Sequence, residues 1–240
     1  MAPSIEDGSL RILRYEKVPS TMDVAEELAE KGEPEWTVVV AEEQTMGRGR
    51  HGRRWESPRG GLWLSVILRP PLHVLPILSI TAALALCDAL SLLYDIDARL
   101  KWPNDVLISG YKVAGILVKG VSGAYSIVGV GVNVNNDPPR GIKATSLKAV
   151  VGRELDLDEL LKTYLEAFKH RYEQAIDNPE KLLKDYKEKL DTIGKRVRAL
   201  LVTGDVIKGI AVDVTEAGAL VIYTDGKLVE VIAGEVEYLR

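Results

Sequence analysis

At 240 residues the chain is long enough to bury a substantial core, either as one large domain or as a domain with a small appendage. An apolar content of 46% beside 28% charged residues reads as a globular, soluble protein, and a net charge of −4 argues against general nucleic-acid binding. Cys87 is the single cysteine and the three histidines are scattered, which excludes an internal disulfide and disfavours a Cys- or His-based metal centre; it fits a reducing compartment and a cytoplasmic protein.

The N-terminal "MAPSIEDGSLRILRYEK" lacks the basic-then-apolar order of a signal peptide. Ser20 is placed to cap a helix running to Gly32, with Asp23 three residues on as an approximate capping box. "WTVVVA", residues 36–41, reads as a buried strand, and "LWLSVIL", residues 62–68, as a second. Residues 75–93 are apolar and nearly long enough to span a bilayer, but they are solitary, contain Asp88 and are rich in Ala and Ser, which predicts a buried core helix.

"ARLKW" is then a short strand ending at Pro103, followed by "VLI", a Ser109-Gly110 turn and "KVAGILVKGV" as a hairpin. "AYSIVGVGVNVNN" adds a valine-rich strand. Leu157, Leu160, Leu161, Tyr164, Leu165, Phe168 and Tyr172 keep helical spacing, and Pro179 opens a further helix. At residues 192–194 the composition shifts to short β segments with turn signals at Gly204, Gly218 and Gly226. The expected division is therefore a domain of residues 1–192 and a small antiparallel β unit of residues 193–240, too small to hold much core alone and so packed on the larger one.

Between the first two strands lies "TMGRGRHGRRWESPRGG", in which Gly47, Gly49 and Gly52 match the spacing of a dinucleotide loop. That fingerprint needs a helix directly after the last glycine, and "RRWESPRGG" cannot supply one. Five arginines and one glutamate between residues 48 and 59, in an acidic chain, concentrate positive charge for a local purpose. Glycines let main-chain amides approach a ligand, and alternating guanidinium groups suit phosphate or carboxylate oxygens. A solvated basic loop has the same composition. "KWPNDV", residues 101–106, on its own is an Asx turn, and Lys112 on its own is a strand end, whereas Gly115 marks a close approach within a strand.

Taken in order, "PST", "AEEQTMGRGRHGRRWESPRGGLWLS", "KWPNDV", "KVAGILV" and "GVGVNVN" resemble the catalytic module of biotin protein ligases, over roughly residues 10–240. The resemblance implies an α+β fold: a mixed or antiparallel central sheet flanked by helices, related to class II synthetases, with a small SH3-like C-terminal β-barrel. It implies biotin and ATP with Mg²⁺ as substrates, biotinyl-5′-AMP as intermediate, and transfer to a lysine of a biotin carboxyl carrier domain. By motif, Lys112, Arg48 and Arg50 are the catalytic candidates. Ser20, Thr21, Gln44, Gly47, Gly49 and also Arg48 and Arg50 belong to the biotin side, with Gly115 and Leu117 lining its ring pocket. Arg53, Trp55, Asn104 and Asn133 fall on the nucleotide side, with Arg50 and Lys112 shared, and Asp105 either holds Mg²⁺ or orients its neighbours.

Met22 stands where the family often has Asn and offers only packing or a main-chain contact. About 15 residues precede "KVPST", too few for the DNA-binding module of bifunctional relatives, so no DNA partner is expected. The resemblance also implies a homodimer through the main sheet. Competing readings are a lipoate or octanoate ligase or transferase of related architecture, and a biotin-binding regulator without transfer activity.

Overall fold

Alternation along the strands decides the architecture. In the computed structural model, which describes residues 5–7, 10–121 and 123–239, β1 (Ile5–Asp7), β2 (Leu10–Val18), β3 (Thr37–Gln44), β4 (Leu62–Leu68), β5 (Arg99–Lys101), β6 (Asp105–Ile108), β7 (Tyr111–Val121) and β8 (Tyr125–Val132) form one sheet. Its order is β1-β2-β3-β4-β8-β7-β6-β5, with β2 and β3 parallel and every other neighbour antiparallel. Every residue of β4 is buried because both faces are covered. Leu62, Leu64, Val66 and Leu68 join one core cluster, while Ile67 joins the other.

The larger cluster lies under α2 (Leu78–Tyr94), α4 (Leu157–Asp177) and α5 (Pro179–Lys189). The helix over Leu75–Tyr94 has the length and apolarity to cross a membrane, yet most of it is buried between the sheet and α4. Its mate α4 presents Leu160, Leu161, Tyr164, Leu165, Phe168 and Tyr172 inward, at the predicted spacing. A short α3 (Leu147–Val151) follows β8. On the opposite face α1 (Thr21–Glu30) covers part of the sheet, with Met22, Ala25 and Ala29 on Val39, Ile67 and Ile127. Ser20 caps α1 by accepting from the Met22 amide at 3.3 Å. The expected capping box does not close: Asp23 turns to Arg48 instead, because a guanidinium is a stronger partner than one more amide.

β9 (Arg196–Leu201), β10 (Val206–Val214), β11 (Leu220–Thr224), β12 (Lys227–Val231) and β13 (Gly234–Tyr238) form a second, antiparallel sheet in the order β12-β11-β10-β9-β13. Its inward residues Val197, Ala199, Ala211, Leu220 and Ile222 are continuous with the large core, so this unit does pack on the larger one. Trp102, buried, donates its indole N–H to the Gly218 carbonyl at 2.9 Å, and its amide donates to Thr192 Oγ1 at 3.0 Å. These bonds lock the end of β5 against the C-terminal sheet.

The fold class read from the chain is the observed one, with differences in detail. β3 starts one residue later than expected and runs on to Gln44, since Trp36 adopts a left-handed conformation at φ 64° and turns out of the strand. β2 and β13 went unread. Both carry charged residues among the apolar ones, and pairing with β3 and β9, rather than local apolarity, makes them strands.

Candidate active site

The polar end of the site is built where α1 begins. Thr21, buried, donates its amide to Gln44 Oε1 at 2.8 Å, shares its hydroxyl with the same oxygen at 3.1 Å, and meets Ser65 Oγ at 2.8 Å. Gln44 donates Nε2 to Ser57 Oγ at 2.8 Å. Ser20, Thr21 and Gln44 are thus brought together as expected, and Ser57 and Ser65 complete a network that sequence reasoning missed. A signal existed for Ser65: a hydroxyl in the middle of an otherwise apolar strand must find a buried partner.

From there the sheet offers a floor without side chains. Gly115 pairs with Gly131, and Leu117 with Gly129, across β7 and β8, so all four share one face. A Cβ on Gly131 would stand 2.5 Å from Trp55 Nε1, and one on Gly115 would stand 3.1 Å from the same ring. Trp55 therefore lies on this floor, beside the pocket expected for the biotin ring, rather than away from it. Its Nε1 is buried with no hydrogen-bond partner among the described residues, a seat that costs about 1–3 kcal/mol relative to a satisfied one. Next to it Met22 packs against Gly129, the packing role expected of it. An adjacent cleft of about 640 Å³, lined by Met22, Gly47, Arg48, Gly49, Leu117 and Val118 among others, is within the range of small-molecule sites.

Residues 47–55 form a tight hairpin over this floor. Gly49 donates its amide to Arg53 O at 2.8 Å and Trp55 donates to Gly47 O at 2.9 Å, with a 3-10 turn at Arg50–Gly52. No helix follows, as the sequence requires. Arg48 reaches Asp23 at 2.9 Å, Arg53 pairs with Glu235, and Arg59 with Glu16 and Glu42. Arg50 donates Nη1 to the Gly234 carbonyl at 2.8 Å. Burial lowers its pKa from the ordinary guanidinium value, as does Arg53, while Glu235 and Asp105 act to raise it; it stays cationic. Glu235 and Gly234 had no signal in the sequence, since only the tertiary fold brings β13 to this loop.

Lys112 Nζ lies 2.6 Å from Asp105 Oδ1 and 5.0 Å from the centre of the Trp55 ring. The cross-strand register of β6 and β7 brings the pair together. Asp105 thus sits where it orients Lys112. Asn104 donates Nδ2 to Ile116 O at 2.6 Å. Asn133, buried, donates to Thr145 O at 3.3 Å and accepts from Asn136 at 3.0 Å. These two amides fasten the strand ends beside the site, while Trp55, Lys112, Asp105, Gly115 and Arg50 converge on it. No group of three or more His, Cys, Asp or Glu that could hold a metal ion occurs among the described residues.

Comparison with known proteins gives this arrangement its class. The model of the biotin/lipoate A/B protein ligase family matches residues 15–135, and that of the biotin protein ligase C terminal domain matches residues 192–239. The chain belongs to the biotin/lipoate A/B protein ligase family. Within it, the similarities are to biotin ligases. The bifunctional ligase/repressor BirA of Bacillus subtilis (strain 168) is 35% identical over 94% of this chain and 73% of its own length. The biotin--[acetyl-CoA-carboxylase] ligase of Mycobacterium tuberculosis is 38% identical over 85% of this chain and 79% of its own. The solved biotin protein ligase from Aquifex aeolicus in complex with biotin and ATP superposes with a TM-score of 0.83 at 31% identity, over 95% of this chain and 98% of that one.

Proposed function

We infer that the chain is an ATP-dependent biotin ligase that activates biotin as biotinyl-5′-AMP and transfers it to a lysine of a biotin carrier domain of a carboxylase. The single observation that carries this reading is the convergence of Lys112, Arg50 and the Gly115–Gly131 floor in a chain whose relatives and structural neighbours are biotin ligases. In the first step a biotin carboxylate oxygen bonds to the α-phosphorus of ATP as the bond from that phosphorus to the bridging oxygen breaks, and pyrophosphate leaves. In the second, the carrier amine attacks the anhydride carbonyl and AMP departs. Two anions must meet in the first step, so cations held in place at the reacting end lower their repulsion and stabilise the charge of the transition state.

The residues fit these tasks. Thr21 and Gln44, already fixed to one another, are proposed to present hydrogen-bonding groups to the ureido end, with Ser20 capping the helix that carries them. Gly115 and Leu117 are proposed to line the ring seat, which Trp55 vacates or walls as the loop adjusts. Lys112, Arg48 and Arg50 serve the carboxylate and α-phosphate, Gly47 and Gly49 allow main-chain approach, and Arg53, Asn104 and Asn133 form the nucleotide side. The partner of Lys112 in the free protein, Asp105, holds it until a substrate anion competes for it. Mg²⁺ enters with ATP; one carboxylate beside phosphate oxygens and waters suits that ion, which commonly keeps most of its water.

A cytoplasmic location is supported by the buried, unpaired Cys87. A homodimer through the main sheet is carried by the resemblance and is checked by sedimentation. No DNA partner is proposed: Arg48, Arg53 and Arg59 are engaged by Asp23, Glu235, Glu16 and Glu42 rather than displayed as a phosphate-tracking face.

Incubation with biotin, MgATP and a biotin carrier domain, followed by intact mass, tests the function: one biotinyl group is expected on the carrier, and no gain with folded enzyme overturns the reading. Lipoate in place of biotin separates the related ligase, and biotin-dependent release of pyrophosphate separates enzyme from regulator. Because a mixed anhydride is lost if water reaches it, residues 48–59 are expected to become protease-resistant only when biotin and ATP are both present; unchanged cleavage sinks the lid role.

A further inference from the structure

Where β5 and β6 meet the C-terminal sheet, five cations lie together: Arg50, Lys101 and Lys112 about Asp105, with Arg53 beside Arg50 and Lys195 beside Lys101. Three have carboxylate partners. Lys112 is bound to Asp105 at 2.6 Å, Lys195 to Asp191 at 2.5 Å, and Arg53 to Glu235. Among the described residues no ion pair involves the other two. Arg50 has the neutral carbonyl of Gly234, and Lys101 has the face of Tyr238, its Nζ 4.8 Å from the ring centre. Both are half-buried, and burial lowers the pKa of each from its ordinary value. Asp105 and Glu235 lie in the field of Arg50, and Asp105 and Glu237 in that of Lys101, but neither cation has an ion pair among the described residues, and a cation taken partly out of water without one is a cost to the fold. A seam that pairs three cations and leaves two adjacent ones open has capacity for an anion.

We propose that Lys101, together with Arg50, holds the pyrophosphate portion of the nucleotide at this seam, making Lys101 a further substrate-contacting residue of the adenylation step; this rests on the ligase reading above. Lys101 ends β5 and faces Asp105 across the strand pair, so it stands one register step from the carboxylate that holds Lys112. Its position is fixed from the other unit. Tyr238, in β13, meets Thr192 Oγ1 through its hydroxyl at 3.1 Å and carries Lys195 over its ring at 4.3 Å, so the ring is a fixed platform under Lys101. The division of labour follows the chemistry. As the carboxylate oxygen bonds to the α-phosphorus, the electron pair of the breaking phosphorus–oxygen bond goes to the departing pyrophosphate. Lys112 serves the end where the bond forms, Arg50 spans from the α-phosphate to the leaving group, and Lys101 serves the end where negative charge grows. Docking of the C-terminal sheet, through Tyr238 and Gly234, thereby becomes part of the adenylation site.

The test separates the two half-reactions. Biotin-dependent exchange between ATP and pyrophosphate is measured for the unaltered enzyme, Lys101→Met, Lys101→Gln and Lys101→Arg, alongside transfer from supplied biotinyl-5′-AMP to a carrier domain. Removing the charge is expected to raise the apparent KM for pyrophosphate about tenfold or more, the loss expected for one charge-assisted contact. Transfer from the supplied adenylate should stay within about twofold, because pyrophosphate has already gone, and Lys101→Arg should recover most of the exchange. An unchanged KM for pyrophosphate in a folded Met or Gln variant overturns the proposal, as does an equal loss in both half-reactions. No biotin-dependent exchange in the unaltered enzyme overturns the ligase reading itself, and this site with it.

Discussion

On one face of the eight-stranded sheet, α2, α4 and α5 bury an uninterrupted apolar layer, and the principal charge set within it, Arg171, is saturated: it donates to Asp88 at 2.6 and 3.1 Å, to Asp185 at 2.5 Å and to Gln174 at 2.7 Å. On the other face the sheet is carpeted with glycine at 115, 129 and 131, and among the described residues an indole N–H is buried without a partner and neither Arg50 nor Lys101 has an ion pair. The first face gives its buried charges a full set of partners at the Arg171 cluster, although the hydroxyls of Tyr94, Tyr164 and Tyr186 stay buried there without partners among the described residues. The second leaves cations unpaired and a glycine floor open at the proposed substrate site, the usual relation between a scaffold and the site it carries.

The comparison predicts that changes on the glycine face alter chemistry and changes on the helical face alter stability. The largest effect is expected for Lys112→Met, which should slow biotin-dependent pyrophosphate exchange about 1000-fold, roughly 4 kcal/mol in the barrier, with little change in the melting midpoint. A loss under about tenfold would remove Lys112 from the reacting end. Arg171→Met should do the reverse: it strands two carboxylates at a site where Arg171 is 15% exposed, and about 3 kcal/mol of stability is expected to go. Urea unfolding should show the midpoint falling at unchanged slope, with turnover intact at low temperature.

The same cluster sets an acid limb. Burial alone would raise the Asp185 pKa, but the hydrogen bond and charge of Arg171 bring it below the ordinary carboxylate value. Its contribution is therefore complete above about pH 4 and lost as pH falls through the lowered folded value. In Arg171→Met this part of the acid dependence should vanish; a parallel pH–stability curve would show that the pair is not its source.

Gly131→Ala places a methyl 2.5 Å from Trp55 Nε1. The indole must shift over the ring seat, so KM for biotin should rise about tenfold while stability changes by about 1 kcal/mol. The smallest expected effect is none: burial pushes the Cys87 thiol up to about 12, so iodoacetamide at neutral pH should leave the native protein unlabelled. Rapid labelling without denaturant would show that the helical face opens in the native protein.

Much of this was legible in the chain. β4 and the long helices follow from apolar period, and Ser20 as a cap from its place before a helical run. The missing helix after Gly52 was enough to discard a dinucleotide loop. β2 and β13 were not legible, because strands that depend on a neighbour's edge have little pattern of their own. Gln44 was marked as a polar contact, but its companions Ser57 and Ser65 come from segments 13 and 44 residues from Gln44 and Thr21 respectively, and no local rule joins them.

What the sequence determined by itself is whatever depends on neighbours along the chain: helical and strand period, caps, turns, the loop's charge and the family motifs. Which cations are neutralised and which are left open was decided by the tertiary structure. A charge's state depends on what lies within a few ångströms in space, and the partners of Arg50, Arg53 and Lys101 come from β13, 137 to 184 positions away in the chain. Only the docking of the second sheet turned an arginine-rich loop and a strand-end lysine into parts of one site.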